Sequence, residues 1–387
     1  MTNFIKKKHI LILLAGSISI MSCKEEIKTE DPMVENLLLQ EWTGNYGGVP
    51  AFDKVKMEDV KPAMLLGIEM KLKDIEAIAN NEEAPTFENT IVEMERSGQA
   101  LSRAFNYYGI LSSNMSSLEF RELQSELAPI FSDYQSKITQ NEKLFQRVKA
   151  VYDASLVKPL DADQQRVTEL VYVGFAMNGA NLNEEIKAEY AELSKELSSL
   201  YTKFSNNVLH DEENYVSFLT KDQLGGLSKG FIKSAAKIAT DKGQEGKYSI
   251  TNSRSSMDPF LTYSTERELR KIVWTNYYSR GDNGDEFDNN ELIAEVLRLR
   301  RKKVELLGFN NYAEWRLQDR MAKTPENAME LMEAVWPAAI ARVSEEVADM
   351  QAIADKNEDI EILWIENCGH YPMLESPEKW VEAILKA

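Results

Sequence analysis

The sequence has 387 residues, 43% of them hydrophobic, which is enough to bury a large core in one unit or in two or three smaller ones. Acidic residues outnumber basic ones by 63 to 45, and the formal net charge is −18 at pH 7. This charge argues against nucleic acid and against an anionic membrane surface as partners.

The N-terminus has the pattern of an export signal. Lys6–Lys8 precede an apolar run from Ile10 to Met21, which is too short to span a bilayer in the mature protein. The Ser22-Cys23 step that follows resembles the end of a lipoprotein signal. We therefore predict a signal peptide over 1–22 and a lipidated Cys23 as the first mature residue. The alternative is an apolar N-terminus that is not cleaved.

A lipid on Cys23 would hold the protein in the cell envelope, on the periplasmic or the cell-surface side. Residues 23–45 are polar and charged, so we expect them to form a tether between the membrane and the folded part. The second cysteine, Cys368, would then have no partner for an intramolecular disulfide.

Helical patterns dominate the first half of the mature chain. The Gly- and aromatic-rich segment 42–55 predicts turns that lead into a helix. A further long helix follows Thr86, a candidate N-cap, and another is expected over 117–150. A third helix over 183–207 begins after Asn183, which has the side chain of an N-cap.

Between 214 and 264 the pattern changes to short β-branched and aromatic runs separated by Gly-bearing turns. We predict two or three short strands from the runs 215–220, 248–251 and 259–263, with a helix near 229–240 between the first two. Helices then return over 266–278 and 290–307, and Gly308 has the position of a C-terminal stop.

The longest helical pattern begins after Thr324, a candidate N-cap, with Pro325 at the first helical position. Its apolar residues recur at steps of three and four, a pattern that predicts burial of one continuous face, and Pro337 inside the pattern predicts a kink. The apolar residues of this face are Leu331, Met332, Val335, Trp336, Ala339, Ile340, Val343, Val347, Met350 and Ile353.

Two segments of this region carry a family resemblance. Arg320–Glu326 (RMAKTPE) and Glu346–Gln351 (EVADMQ) resemble the thimet oligopeptidase family of zinc metallopeptidases, in particular peptidyl-dipeptidase Dcp and oligopeptidase A. The resemblance extends from about Trp42 to Ile362. It implies a mainly α fold, an elongated multi-helix scaffold of the oligopeptidase type with a small β-sheet insertion near 214–264. It also implies oligopeptides as substrates and zinc as the cofactor.

The zinc motif of that family is missing from this sequence. A zincin needs two histidines one helical turn apart, as in His-Glu-x-x-His, so that both imidazoles face one metal. The three histidines are His9, His210 and His370, and none is within a helical turn of another. We interpret His210 as part of a solvated helix end. We therefore predict a helical region over 46–362 without its zinc domain, no metal ligands and no cofactor in this chain, and no catalysis.

The missing catalytic half also affects the long helix. If nothing packs on its apolar face, part of that face will be exposed and will favour association. A second hypothesis is therefore a non-catalytic lipoprotein that binds peptides or other partners.

The tail over 363–387 departs from the family pattern. Residues 366–380 resemble the C-terminal histidine loop of an α/β-hydrolase, in which His370 would be the triad base. A nucleophile pattern exists at Gly226–Gly230, with Ser228 at its centre. No strand runs directly into this pattern, so Ser228 as a helix N-cap is the favoured interpretation. A serine hydrolase that uses Ser228 and His370 is the third, less favoured hypothesis.

One basic run needs a separate interpretation. Arg298–Lys303 falls in the last turns of a predicted helix, where cations oppose the negative end of the helix dipole. We expect this role for the run and no nucleic-acid binding.

Overall fold

The computed structural model describes residues 36–44 and 48–356. The predicted signal peptide, the greater part of the tether and the tail lie outside the described residues. The same holds for Cys23, Cys368 and His370, so the predictions made for them are untested by the structure.

The described residues form a mainly α scaffold with one small sheet, as predicted. The helices run over Met57–Ala79 (α1), Glu93–Arg96 (α2), Gln99–Asn114 (α3), Leu118–Thr139 (α4), Glu142–Val157 (α5), Ala162–Met177 (α6), Glu184–Asn214 (α7), Lys229–Asp241 (α8), Arg254–Tyr263 (α9), Arg267–Tyr278 (α10), Asn290–Leu306 (α11), Tyr312–Leu317 (α12) and Pro325–Ala354 (α13). The strands are Ser217–Leu219 (β1) and Tyr248–Ile250 (β2), and they pair antiparallel with Phe218 opposite Ser249.

Helix α1 takes part in two hydrophobic clusters. Its first half packs Val60 and Met64 against α3 and α4, where Tyr107 and Phe120 are also buried. Its second half packs Ile75 and other residues against α5 and α6. The helix is about 35 Å long at 1.5 Å per residue, so its length is sufficient to reach both clusters.

The helix predicted after Thr86 begins as expected but is not continuous. The Thr86 hydroxyl accepts a hydrogen bond from the Asn89 N–H, and the Asn89 side chain accepts one from the Thr86 N–H. One π-helical turn, Phe87–Val92, and the short α2 follow. The chain then breaks at Gly98, whose φ of +73° is in the left-handed region.

The single helix predicted over 117–150 is wrong, because α4 and α5 are separate. Asn141 is the N-cap of α5, and its side chain accepts a hydrogen bond from the Leu144 N–H. In a continuous helix the Leu144 N–H would bond to a backbone carbonyl one turn earlier. The Asn141 side chain accepts that N–H instead, so it favours a new helix start at this point.

The β prediction is confirmed for two strands and wrong for the third. Residues 259–263 belong to α9, although Pro259 lies inside that helix. Met257 and Phe260, one helical turn apart, are both buried against Leu219, Ile250 and Val273. Burial of this face outweighs the backbone bond lost at the proline.

Helix α13 begins as predicted. The Thr324 hydroxyl accepts from the Asn327 N–H and Pro325 occupies the first turn. The prediction that its apolar face is buried is wrong, since only Ala354 of this helix is buried among the described residues. Leu331, Val335 and Trp336 are 69%, 59% and 55% exposed. The helix is continuous through Pro337, and the predicted kink stays a prediction.

Within residues 36–44 and 48–356, none of the helices is long and apolar enough to cross a bilayer.

Candidate binding cavity

The structure places His210 inside α7 and gives it packing contacts. Its ring stacks on Phe287 with 3.4 Å between ring centroids. Its Nδ1 lies 3.3 Å from Oδ1 of Asp211, a carboxylate that is fully buried. His210 lies four residues before the end of α7, as predicted, with its side chain 28% exposed, while the neighbouring Asp211 faces the interior.

Asp211 holds a neighbouring loop. Its Oδ2 accepts hydrogen bonds from the Gly281 N–H at 2.7 Å and from Asn283 Nδ2 at 2.8 Å. Gly281 has a φ of +72°, and a Cβ there would lie 2.7 Å from Asn289 Nδ2. The carboxylate thus accepts donors that the buried loop presents, which is a structural role.

Ser228 is the N-cap of α8. Its Oγ accepts a hydrogen bond from the Phe231 N–H at 3.2 Å. The preceding strand ends at Leu219, and a 3₁₀ turn over Lys221–Gln223 intervenes. A nucleophile elbow requires a strand that runs directly into the turn, and this geometry differs from it.

The described residues contain no group of three or more His, Cys, Asp or Glu side chains placed to hold a metal ion. A zinc ion needs three or four such ligands within about 2.3 Å. The described part of the chain therefore does not fit the zinc site that the family resemblance implies, and no zinc-dependent step can be assigned to its residues.

A cavity of about 470 Å³ opens between α6, α7, α11 and α12. We call it the Lys303 cavity. On α7, Ser194, Leu197, Ser198 and Tyr201 are three or four residues apart, so they share the face that lines it. The other lining residues are Gly174, Met177, Asn178, Lys303, Tyr312, Trp315, Arg316 and Asp319.

Trp315 fixes one wall of this cavity. Its Nε1 donates a hydrogen bond to the Met177 carbonyl at 2.9 Å, which ties α12 to the C-terminal end of α6. The carbonyls at the end of a helix have no partner within the helix, so a side-chain donor satisfies one of them. The indole is thereby held at a defined position in the wall.

Lys303 is the unusual group of the cavity. Its Nζ lies 4.6 Å from the centroid of the Tyr190 ring and 5.8 Å from that of Trp315. Burial lowers the pKa of this amine from 10.5 to about 8, because the charged form loses its hydration. No described carboxylate forms an ion pair with it.

The other residues of the basic run are paired. Arg301 bonds Glu305, Lys302 bonds Glu189 and Arg298 bonds Glu295. Arg300 donates a hydrogen bond to the Tyr201 hydroxyl at 2.7 Å. The helix-dipole interpretation treated all five basic residues alike and missed Lys303, which only the positions of α7 and α12 distinguish.

A smaller cavity of about 200 Å³ lies between α8, α9 and β2. Its lining contains Phe231, Ile238 and several serines, and no charged side chain. It offers fewer binding groups than the Lys303 cavity.

Sequence comparisons identify the class of protein. The chain is 31% identical over 311 residues to dipeptidyl carboxypeptidase of Escherichia coli (strain K12), which covers 80% of this chain and 46% of that protein. It is 28% identical over 317 residues to oligopeptidase A of Haemophilus influenzae, covering 81% and 46%. It is also 28% identical over 344 residues to the organellar oligopeptidase A of Arabidopsis thaliana, covering 85% and 42%.

These relatives are named as peptidases, and the family model for Peptidase family M3 matches residues 260–370. The chain is similar to members of this family over about 80% of its length, as the resemblance in the sequence indicated. It spans about half the length of the curated relatives that it matches.

Proposed function

We propose that this chain is the part of an M3-type oligopeptidase that carries the helical scaffold and not the zinc centre. The observation that carries the proposal is an alignment over most of this chain that covers only 46% of a dipeptidyl carboxypeptidase. The sequence contains no His-Glu-x-x-His. Oligopeptides are the substrate class that the relatives' names support, and this chain alone does not cleave them.

Peptide hydrolysis by a zincin depends on a metal-bound water whose pKa falls to about 7. Without the metal the nucleophile is absent rather than weakened. The residues of this chain would bind and orient peptide next to a metal that other residues hold. In this proposal their contribution is positioning and the exclusion of water.

The test uses the purified full chain, expressed in a host that lacks its own M3 peptidases. We expect zinc well below one equivalent by elemental analysis and no release of dipeptides from a blocked oligopeptide, with or without added zinc. Turnover that a chelator abolishes would overturn the proposal. A relative that carries the His-Glu-x-x-His motif, expressed in the same host and purified in parallel, shows that the assay detects activity.

We also propose that the mature protein begins at a lipidated Cys23 and is anchored in the cell envelope. The basic residues 6–8, the short apolar run and the cysteine support it. Mass spectrometry of the mature N-terminus should give a diacylglyceryl-modified Cys23. A start at Met1, or a Cys23 thiol that alkylates freely, would contradict it.

A second candidate function is a non-catalytic interaction lipoprotein. The exposed apolar face of α13 favours it, because a bare apolar helix face is a surface that partners cover. The two candidates differ in what binds. The first requires measurable affinity for oligopeptides, and the second requires association through α13 with no peptide binding.

A further inference from the structure

The Lys303 cavity has cationic groups without anionic partners. Lys303 and Arg316 both line it, and neither forms an ion pair with a carboxylate among the described residues. Asp319 also lines the cavity, but its Oδ1 lies 3.3 Å from Nε of Arg320. The lining therefore holds two positive charges and one carboxylate, which pairs with Arg320 and with neither cation of the lining, in a chain whose net charge is −18.

Three neutral polar side chains of the lining already donate to backbone carbonyls. Ser198 Oγ donates to the Ala128 carbonyl and Ser194 Oγ to the Tyr190 carbonyl. Asn178 Nδ2 donates to the Gly174 carbonyl. The charged donors left for a ligand are the ammonium of Lys303 and the guanidinium of Arg316, beside the neutral hydroxyl of Tyr312, and the two cations prefer a negatively charged oxygen.

The walls select the rest of the ligand. Tyr201, Tyr312 and Trp315 present aromatic rings to the cavity. A volume of about 470 Å³ is within the range of about 300–1,000 Å³ that small-molecule sites occupy. Aromatic walls with a few convergent charged donors suit a flat or apolar body that carries one oxyanion.

Desolvation gives the cavity a reason to accept an anion. A cation moved out of water without a partner is unfavourable, and an oxyanion placed next to it offsets this cost. The rings of Tyr190 and Trp315 offset only part of it.

We propose that the Lys303 cavity binds a small organic oxyanion, a carboxylate or a phosphate carried on an aromatic or apolar group, with Lys303 and Arg316 as the anion-binding residues. The proposal does not rest on the proposed peptidase function.

Titration calorimetry on the full chain at pH 7 tests the proposal with four probes of similar size. Benzoate and phenyl phosphate carry the two kinds of oxyanion, benzyl alcohol is neutral and benzylamine is positive. We expect saturable binding of at least one of the two anions and at least tenfold weaker binding of benzyl alcohol and benzylamine. The stronger of the two anions identifies carboxylate or phosphate as the natural group.

Two variants locate the site. Lys303→Met keeps the length of the side chain and removes its charge, and we expect at least a tenfold rise in the Kd of the preferred anion. Lys302→Met is the matched control, because it removes a charge one residue away that pairs with Glu189. Arg316 is exposed, and Arg316→Gln should weaken binding of the same anion. It is the second variant, and it is used alone if Lys303→Met does not fold.

Three results would each overturn the proposal. The first is no saturable binding of either anion to the wild-type chain. The second is binding of benzyl alcohol as tight as that of the anion. The third is a Kd that both variants leave within twofold of wild type.

Discussion

At the scale of single residues, buried polar side chains decide how the second half of the chain is held together. Asn289, buried at the start of α11, donates to the Phe204 carbonyl and accepts from Asn207, so it connects α7 to the loop before α11. Asn252 Nδ2 donates to the carbonyls of Asp211 and Asn276 and connects α7 to α10. These side chains bond to backbone carbonyls of α7 and α10, and the Asp211 carbonyl also accepts from the Tyr215 N–H.

Asp211→Asn tests this network. The carboxylate accepts two short hydrogen bonds through Oδ2. If the amide of the variant places its NH₂ group there, two donors face each other. If it places its oxygen there, the bonds remain but lose the negative charge that strengthens them. We expect a loss of about 2–3 kcal/mol in the free energy of unfolding, measured by urea titration. The control Asp349→Asn, on the exposed side of α13, should change it by less than about 0.5 kcal/mol.

The lowered pKa of Lys303 predicts that the stability of the protein depends on pH. Below pH 8 the amine is charged in the folded and in the unfolded chain, so the cost of burying the charge is fully present. Between about pH 8 and 10.5 the folded protein releases this proton while the unfolded chain keeps it. The contribution of Lys303 to stability therefore rises with pH in this window.

Lys303→Met should consequently be more stable than wild type at pH 7. Lowering the pKa of Lys303 from 10.5 to about 8 corresponds to about 3 kcal/mol of lost stability at pH 7. The contacts of the ammonium with the Tyr190 and Trp315 rings offset part of this loss. We expect a net gain of about 1–2 kcal/mol at pH 7 that shrinks at pH 9.5, by urea titration at both values. A variant less stable than wild type at pH 7 would contradict the prediction, and Lys302→Met should show no such pH dependence.

At the scale of elements, the exposed face of α13 predicts self-association of the full chain. Val335→Glu together with Trp336→Glu places two charges on this face. We expect the double variant to shift the population to monomer in sedimentation velocity while the helical circular dichroism is retained. Ala334→Glu together with Ala338→Glu puts the same two charges on the opposite face and should leave association unchanged. A wild-type chain that is monomeric at all concentrations would rule this prediction out.

Local signals in the sequence were sufficient for several helix ends. Asn183, Ser228 and Thr324 all cap helices as predicted, and Gly308 follows α11 with a φ of +83°. These signals act within three or four residues, so they can be recognised in the sequence without knowledge of the fold.

Features that depend on packing between residues far apart in the sequence could not be predicted from local patterns. The aromatic run 259–263 looks like a strand until Met257 and Phe260 are seen to pack on the hairpin. Lys303 looks like its neighbours until α7 and α12 close around it. The candidate site was missed for the same reason, since its lining comes from 174 to 319 along the chain.

At the scale of the whole molecule, the net charge of −18 should oppose the association that α13 favours. At about 0.01 M salt the Debye length is about 30 Å, so the negative charges of two copies repel each other across the contact. At 0.15 M salt the Debye length is about 8 Å, and this repulsion is largely screened. We therefore expect tighter association at the higher salt, measured by sedimentation equilibrium. Association that weakens with salt would mean that ion pairs rather than apolar contacts hold the copies together.

The position of helix α1 in the chain has a consequence for folding during synthesis. Every buried member of its first cluster lies between Leu38 and Leu127, so this core can close before the rest of the chain has emerged. The second cluster of α1 needs residues as far as Ala180. One end of the helix is thus anchored while the other still presents Ile75 and Ile78 to solvent. For that interval the nascent chain has an apolar surface that a chaperone could hold.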